Sequence, residues 1–457
     1  MNIEKAHTIL QSQRELFDSG ATRSLRFRRD ALIKLKKAIM ANETKIMDAL
    51  YKDFRKSPFE SYASEISLVL KEINYHLRHL KKWSGKSLKP TPYYINPVLS
   101  FVRKEPYGLV LIMAPWNYPF GLLMTPLVGA ISAGNCVVLK PAAYSSATSA
   151  IMEELITSIY PPEYISIFEG GRDVNKVLLE QEYDYIFFTG GPFFGKTVAE
   201  AAIKNFTPYT LELGGKNPCI IDKDANLKKT ARRLVQGKFF NNGQTCIAPD
   251  HLYVHCDIKD RLLQLVKDEI TRQFGEDPQK SPDLARLIND KAFERISSYL
   301  KNADILIGGQ TDKDDRYIAP TLIKCKDETL PIMQEEVFGP VLPVLEFDDL
   351  DELTDNISKK DKPLVLYYFT SNRMNIDKVI SKINSGGVGI NELLVHFVNS
   401  HLPFGGVGKS GMGAYHGKYS FNTFSRERAL IVSSTLFDIP AKFAPYKKKL
   451  RLLKKIL

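Results

Sequence analysis

The sequence predicts an α/β protein built from two doubly wound domains and a small β arm. Three observations lead to that class. The 457 residues exceed what a single hydrophobic core organises, and 44% apolar with 25% charged residues is an ordinary globular composition. From Tyr107 onward, short apolar runs alternate with helical segments, first up to about residue 210 and then again beyond it. Runs that are apolar throughout, instead of alternating with polar residues, indicate parallel strands covered on both faces.

The first 83 residues read as helices, because Leu32, Leu35, Ile39 and Ile46 recur at helical spacing, as do Ile66, Leu70, Ile73 and Leu77. The stretch KPTPYYINPVLSFVRKEP follows, and its prolines and aromatics suggest an extended arm. GLVLIMAP, NCVVLKP, YISIFEG and YDYIFFTGG then read as strands, with helices over 146–159 and 174–180. Residues 106–139 carry no charge, but Pro115, Pro119, Pro126, Asn117 and Asn135 interrupt them, so buried strand and loop are expected there, not a membrane span. Past Leu211, PCIID, HLYVHC, ADILIGG, VLPVLEF, LVLYYFT and GGVGIN read as strands, with helices near 226–239, 258–274, 290–301 and 373–384. A glycine-rich loop, an aromatic strand over 421–432 and a basic end complete the chain.

Five cysteines without a C-x-x-C pair indicate neither a disulfide framework nor a zinc ribbon, and the N-terminus lacks the apolar core of a secretory signal. A cytoplasmic setting is therefore expected. The net charge of +11 raises the question of an anionic partner, yet seven of the excess cations lie in 439–457, which holds no acid, so the remaining chain stands at +4. No nucleic-acid partner is expected. In the tail, Tyr446, Leu450, Leu453 and Leu457 share one helical face with lysines around them. That pattern suits peripheral contact with anionic lipid and equally a solvated or dimer-packed tail.

Three residues are candidates for chemistry. Cys246, in NNGQTCIAP, follows an apolar helix within a polar, Gly-containing stretch that would present sulfur on a turn beside backbone N–H groups. An isolated cysteine is more often simple packing, and Cys136 and Cys219, inside apolar strands, read that way. Glu212, between Leu211 and Leu213 and before Gly214-Gly215, would become a usable base if an apolar pocket raised its pKa; alone, it would read as a strand-end glutamate facing water. Asn117, in APWNYPF, follows a strand where its amide would reach a developing oxyanion; a turn-forming asparagine is the ordinary alternative.

Taken together, LELGGKNP, NNGQTCIAPD, PWNYP, EEVFGPVLPV and LPFGGVGKSGMG, in this order and spacing, resemble the NAD(P)-dependent aldehyde dehydrogenase superfamily. RYIAPT, GAYHGKYSFNTFS and the short length are most similar to its class 3 or fatty-aldehyde branch. The resemblance runs from about Glu60 to Val432. It implies that Cys246 is the nucleophile, that Asn117 and the Cys246 N–H hold the oxyanion, and that Glu212 activates the water that hydrolyses the thioester. Lys140 and Glu336 would contact the two riboses of NAD or NADP, Phe338 would wall the nicotinamide pocket, and Thr189, Gly190, Gly191 and Gly195 would lie near the pyrophosphate. Tyr62, Trp116 and Tyr118 are expected to line an apolar route for a small-molecule aldehyde, medium or long-chain aliphatic or aromatic, core packing being the ordinary role of such aromatics. The implied organisation is a cofactor-binding domain (1–83 and 104–209), a catalytic domain (210–416), a bridging and oligomerisation arm (84–103 and 417–438) of a homodimer, and the tail (439–457).

Two departures from the family pattern bear on the cofactor. Gly191 stands where a serine is usual, and Ala143 stands where class 3 relatives often carry a glutamate; without that carboxylate a 2′-phosphate is less repelled, which favours NADP. Two other readings remain: a non-catalytic protein on the same fold, against which the intact trio argues, and a coenzyme A-acylating enzyme, which would not need Glu212. GVGKSG at 406–411 follows no strand and is not a dinucleotide fingerprint. His251 and His255 on one strand would be about 13 Å apart, and His76 with His79 reads as a solvated surface. No metal site is predicted.

Overall fold

The computed structural model describes residues 3–436, 438–446 and 449–456. Helices Ile3–Asp18, Leu25–Ala41, Glu43–Phe54 and Ser67–Trp83 form the N-terminal part, and Leu32, Leu35, Ile39, Ile46, Ile66 and Ile73 are all fully buried. The periodic apolar positions are thus the packed faces. His76 departs from the expected solvated surface. It is fully buried, with Nδ1 2.6 Å from Ser132 Oγ and Nε2 3.1 Å from Glu72 Oε1, because its helix packs against the buried helix Pro119–Ala133.

The first sheet places Tyr209–Glu212, Tyr185–Thr189, Leu109–Met113, Cys136–Lys140 and Ile165–Ile167 side by side and parallel, with Gly411–Met412 antiparallel at one edge. Strand order reverses between Leu109–Met113 and Tyr185–Thr189. A crevice opens outside the carboxyl ends of strands at such a point, which locates a site at Ala114–Asn117 and Thr189–Gly191 from topology alone. The second sheet runs Asp304–Ile307, Thr321–Lys324, Val341–Phe347, His251–His255, Pro218–Ile221, Val365–Phe369 and Gly387–Ile390, parallel except for its first strand. Ser87–Lys89, Val98–Pro106 and Ser425–Ser433 form a separate antiparallel sheet.

Helix 146–159 is found at its expected bounds, and the helix expected from 226 begins at Leu227 because the Asn226 side chain caps it by accepting from Lys229 N–H. Two further expectations need correction. Residues 119–133 form a helix buried along its whole length, not loop. Pro119 sits at its first turn, where no N–H is required, Glu65 Oε2 accepts from Phe120 and Gly121 N–H at 2.9 and 3.1 Å, and Gly134 at φ 101° ends it. Pro126 is accommodated inside. The aromatic strand begins at Ser425, since Lys418–Thr423 is helical.

Candidate active site

Cys246 occupies the second position of a turn closed by Ala248 N–H donating to Thr245 O at 2.9 Å. That turn is fastened from beneath. Asn217 Nδ2 donates to the carbonyls of Cys246 (2.6 Å) and Ala248 (3.1 Å), and Tyr367 Oη donates to Ile247 O (2.7 Å). The thiol is half-buried and pushed up to about 12, first by desolvation and then by the carboxylates of Glu336 and Glu212. The N–H groups of Cys246 and Ile247 pull the other way. Cys136 and Cys219 are fully buried in strands, as their sequence context suggests.

Glu212 ends its strand and is 2% exposed, and neither carboxylate oxygen has a hydrogen-bond partner. Desolvation alone drives its carboxyl well above the ordinary range. Its backbone carbonyl accepts from Gly190 N–H at 2.9 Å, which ties Glu212 to the Thr189–Gly191 loop. Asn117 is buried, with Nδ2 donating to Gln244 O at 3.0 Å, and an amide NH2 carries two hydrogens, so one donor remains for substrate. Tyr118 Oη lies 2.7 Å from Thr245 Oγ1 and its ring is covered by Lys56 Nζ at 4.5 Å.

Asn117, Glu212 and Cys246 face one cavity of about 510 Å³, together with Trp116, Tyr118, Thr189, Gly190, Gly191, Glu336 and Phe338. Three expected site residues stand apart from it. Tyr62 does not line the cavity and is 41% exposed, because residues 62–66 form a π-helical turn whose Ala63 and Ser64 line the cavity instead. Lys140 is buried at its strand end, with Nζ donating to Pro141 O at 2.5 Å, and burial lowers it to about 8. Gly195 lies in the following helix, where an added Cβ would come within 2.8 Å of Leu213 Cδ2.

The residues fit a dinucleotide. Thr189 Oγ1 is buried without a partner, a Cβ on Gly191 would meet nothing, and the helix Pro192–Lys204 opens there with unpaired N–H groups. Glu336 Oε1 accepts from Gly215 N–H at 3.3 Å, and its carboxyl is raised to about 8 by burial. Gly214 permits that approach, since a Cβ there would fall 2.1 Å from Glu336 Oε2. Phe338, held at φ 48°, meets Trp116 edge to face at 5.4 Å. Sequence reasoning missed Glu60, which carried no local signal, and Asn241 and Gln244, whose signal was only a run of amides in NNGQT. It also missed the apolar lining from Leu68, Leu122, Phe397 and Val398.

Among the described residues, one further group, His255, Cys256 and Asp257, brings potential metal ligands within 4.8 Å of one another. His255 Nδ1 accepts from Asp257 N–H at 3.3 Å, so the ring is engaged in capping that turn.

The sequence profile described as the aldehyde dehydrogenase family matches residues 1–430. The chain is 43% identical over 440 residues to 4,4'-diaponeurosporen-aldehyde dehydrogenase of Staphylococcus aureus (strain NCTC 8325 / PS 47), covering 96% of each chain. It is 45% identical over 425 residues to aldehyde dehydrogenase family 3 member B2 of Mus musculus, covering 93% of this chain and 89% of that one. A solved structure of the substrate-bound state of Staphylococcus aureus AldH superposes with a TM-score of 0.98 at 42% identity, over 100% of this chain and 99% of the other.

Proposed function

The chain belongs to the aldehyde dehydrogenase family, and from that premise we propose that it oxidises medium or long-chain aliphatic or aromatic aldehydes to carboxylic acids through a thioester on Cys246. It is an NAD(P)-dependent oxidoreductase acting on aldehydes. The observation that carries the hydrolytic reading is Glu212, whose buried carboxylate has no internal partner and faces the same cavity as Cys246.

In this reading Cys246 gives its proton to solvent and its sulfur attacks the aldehyde carbon. The carbonyl electron pair moves to oxygen, which is met by the free N–H of Asn117 and the backbone N–H of Cys246. NAD(P), when bound near Thr189, Gly190, Gly191, Glu336 and Phe338, with Lys140 towards the adenosine ribose, supplies the hydride acceptor that leaves a thioester on Cys246. Glu212 then takes a proton from water as the water oxygen attacks the thioester carbon. Sulfur leaves as thiolate, a good leaving group, and the acid is released. Leu68, Leu122, Phe397 and Val398 support an apolar substrate tail, and one relative is named for 4,4'-diaponeurosporen-aldehyde.

A panel of aldehydes from short to long and aromatic, offered with NAD or NADP, tests this by formation of reduced cofactor. Turnover lost in Cys246→Ser and stalled after a single acylation in Glu212→Gln is expected. Thioester transfer to added coenzyme A in place of hydrolysis would favour an acylating enzyme. The absence of a glutamate at Ala143 supports use of NADP, and a strong preference for NAD would remove that part.

Two assembly features complete the proposal. Strand Ser425–Ser433 is an edge strand with Ile431 and Val432 exposed, which supports a homodimer extended through that edge. Static light scattering of wild type and Ile431→Pro should give dimer and monomer. In the tail, Lys449–Ile456 is helical with Leu450 and Leu453 exposed, and Arg451, Lys454 and Lys455 are exposed on the same short helix. These support peripheral, salt-sensitive contact of a cytoplasmic enzyme with anionic bilayers, each cation contributing roughly 1 kcal/mol. Tyr446 of the expected apolar face precedes this helix, and Leu457 of that face, with the flanking Lys447 and Lys448, lies outside the described residues. Among the described residues, no helix is long and apolar enough to cross a membrane. Co-sedimentation with phosphatidylserine vesicles, compared with a chain ending at Ala444, tests the tail; equal binding would dismiss it.

A further inference from the structure

Behind Asn117 lies a polar network that none of the proposed steps uses. Glu60 sits in the short helix Pro58–Ser61, buried, with its own N–H capped by Ser57 Oγ at 3.2 Å. Its Oε1 accepts from the backbone N–H of Asn241 at 2.8 Å. Asn241 and Asn242 are consecutive left-handed residues, at φ 51° and 54°, and that reversal turns the chain at the end of helix Leu227–Phe239 towards Cys246. A non-glycine pair in this region is held only where its surroundings fix it.

From Asn241 the network continues to the oxyanion donor. Asn241 Nδ2 donates to the carbonyls of Asn117 (2.8 Å) and Gln244 (3.1 Å), and Asn117 Nδ2 donates to the same Gln244 carbonyl at 3.0 Å. Gln244 is pinned on its far side, with Nε2 donating to Asn241 O and Arg286 O (3.1 Å each) and Oε1 accepting from Ile288 N–H at 3.0 Å. Asn117 is therefore gripped at its backbone and at its amide by one loop, and the side chain that anchors the entry of that loop is Glu60.

We propose that Glu60 is a positioning residue for the reaction, acting through Asn241 and Gln244 to hold the Asn117 amide in register with Cys246. The inference rests on the reading of Asn117 as oxyanion donor. Removing the carboxylate orphans the Asn241 N–H, lets the left-handed pair relax and releases Asn117 from its alignment without touching the nucleophile, base or cofactor loop. A displacement of that kind at an oxyanion donor lowers turnover by about 10- to 100-fold.

The test compares Glu60→Ala, Glu60→Gln and Asn241→Gly, each alone and combined with Asn117→Ala, in the full chain. Asn241→Gly keeps the left-handed backbone and its N–H while deleting the amide link, so it decides the matter if Glu60→Ala does not fold. Aldehyde oxidation is read as kcat and as KM for cofactor, and cofactor-free hydrolysis of p-nitrophenyl acetate is read in parallel. Glu60→Ala and Asn241→Gly should lower kcat in both assays with cofactor KM unchanged, Glu60→Gln should recover most of the loss, and neither loss should persist once Asn117 is already alanine. A full additional loss in the Asn117→Ala background, or unaltered kcat in both single variants, would overturn the proposal. Wild type that hydrolyses the ester but oxidises no aldehyde would overturn the assigned reaction, leaving Glu60 to be judged on the ester.

Discussion

Asn117 Nδ2 and the Gln244 carbonyl oxygen lie 3.0 Å apart, joining the carboxyl end of a first-sheet strand to the loop that presents Cys246. The contact spans 127 residues of sequence and ties Asn117, the proposed oxyanion donor, to the loop that carries Cys246, the proposed nucleophile. It also spends one amide hydrogen of Asn117, so the direction of the second is set by the same bond.

The burial of Cys246 and its two carboxylate neighbours sets its reactivity. Because the thiol is pushed up to about 12, alkylation of the cofactor-free enzyme by iodoacetamide should be slow at neutral pH and climb steadily towards pH 11. Glu336→Gln deletes the larger of the two charge effects and should speed alkylation above about pH 8, where that carboxyl is ionised, while changing little at pH 7. Mass spectrometry of the Cys246 peptide separates this from the exposed Cys256. No acceleration would mean that Glu336 does not act on the thiol.

Lys140 offers a pH test of cofactor choice. Burial lowers it from 10.5 to about 8, opposed by Glu169, so the charged form prevails below about 8. A 2′-phosphate needs that charge more than a hydroxyl does. The KM for NADP is expected to rise as pH passes 8 while that for NAD moves less, and Lys140→Met should flatten the NADP profile. The stability sign is separate: between about 8 and 10.5 the unfolded chain binds the extra proton, so this group makes stability rise with pH in that window.

Gly214→Ala should separate folding from cofactor handling. The added Cβ meets the far end of the Glu336 side chain, which can swing away, so the melting temperature is expected to stay near wild type. The displaced carboxylate should raise cofactor KM several-fold while kcat changes less. A matching rise in substrate KM alone would place the effect elsewhere.

Lys56 and Glu65 form a fully buried ion pair at 2.6 Å, and Glu65 also caps the helix that follows Asn117 and Tyr118. Lys56→Met leaves that carboxylate uncompensated and should destabilise the protein by about 3 to 5 kcal/mol, read as a lowered urea midpoint. Glu65→Gln in the Lys56→Met background removes the stranded charge and should recover part of the loss.

Much of this architecture was legible in the chain. Amphipathic helices such as Leu25–Ala41 declare a phase through Leu32, Leu35 and Ile39, and the parallel strands declare burial on both faces by being apolar throughout. Pro119–Ala133 was not legible as a helix because it is apolar on every side and therefore carries no phase. His76 was misplaced for a related reason: burial of a polar ring depends on partners such as Ser132, 56 residues away, that no local pattern announces.

The sequence by itself determined which side chains are available for the proposed chemistry, since Cys246, Glu212 and Asn117 sit in motifs whose order and spacing admit one family. Only the tertiary structure decided their states. The thiol is raised, the Glu212 carboxylate is stripped of partners and Asn117 is gripped through a carboxylate 181 residues from the loop it anchors, because desolvation and through-space contact are set by which segments fold against one another.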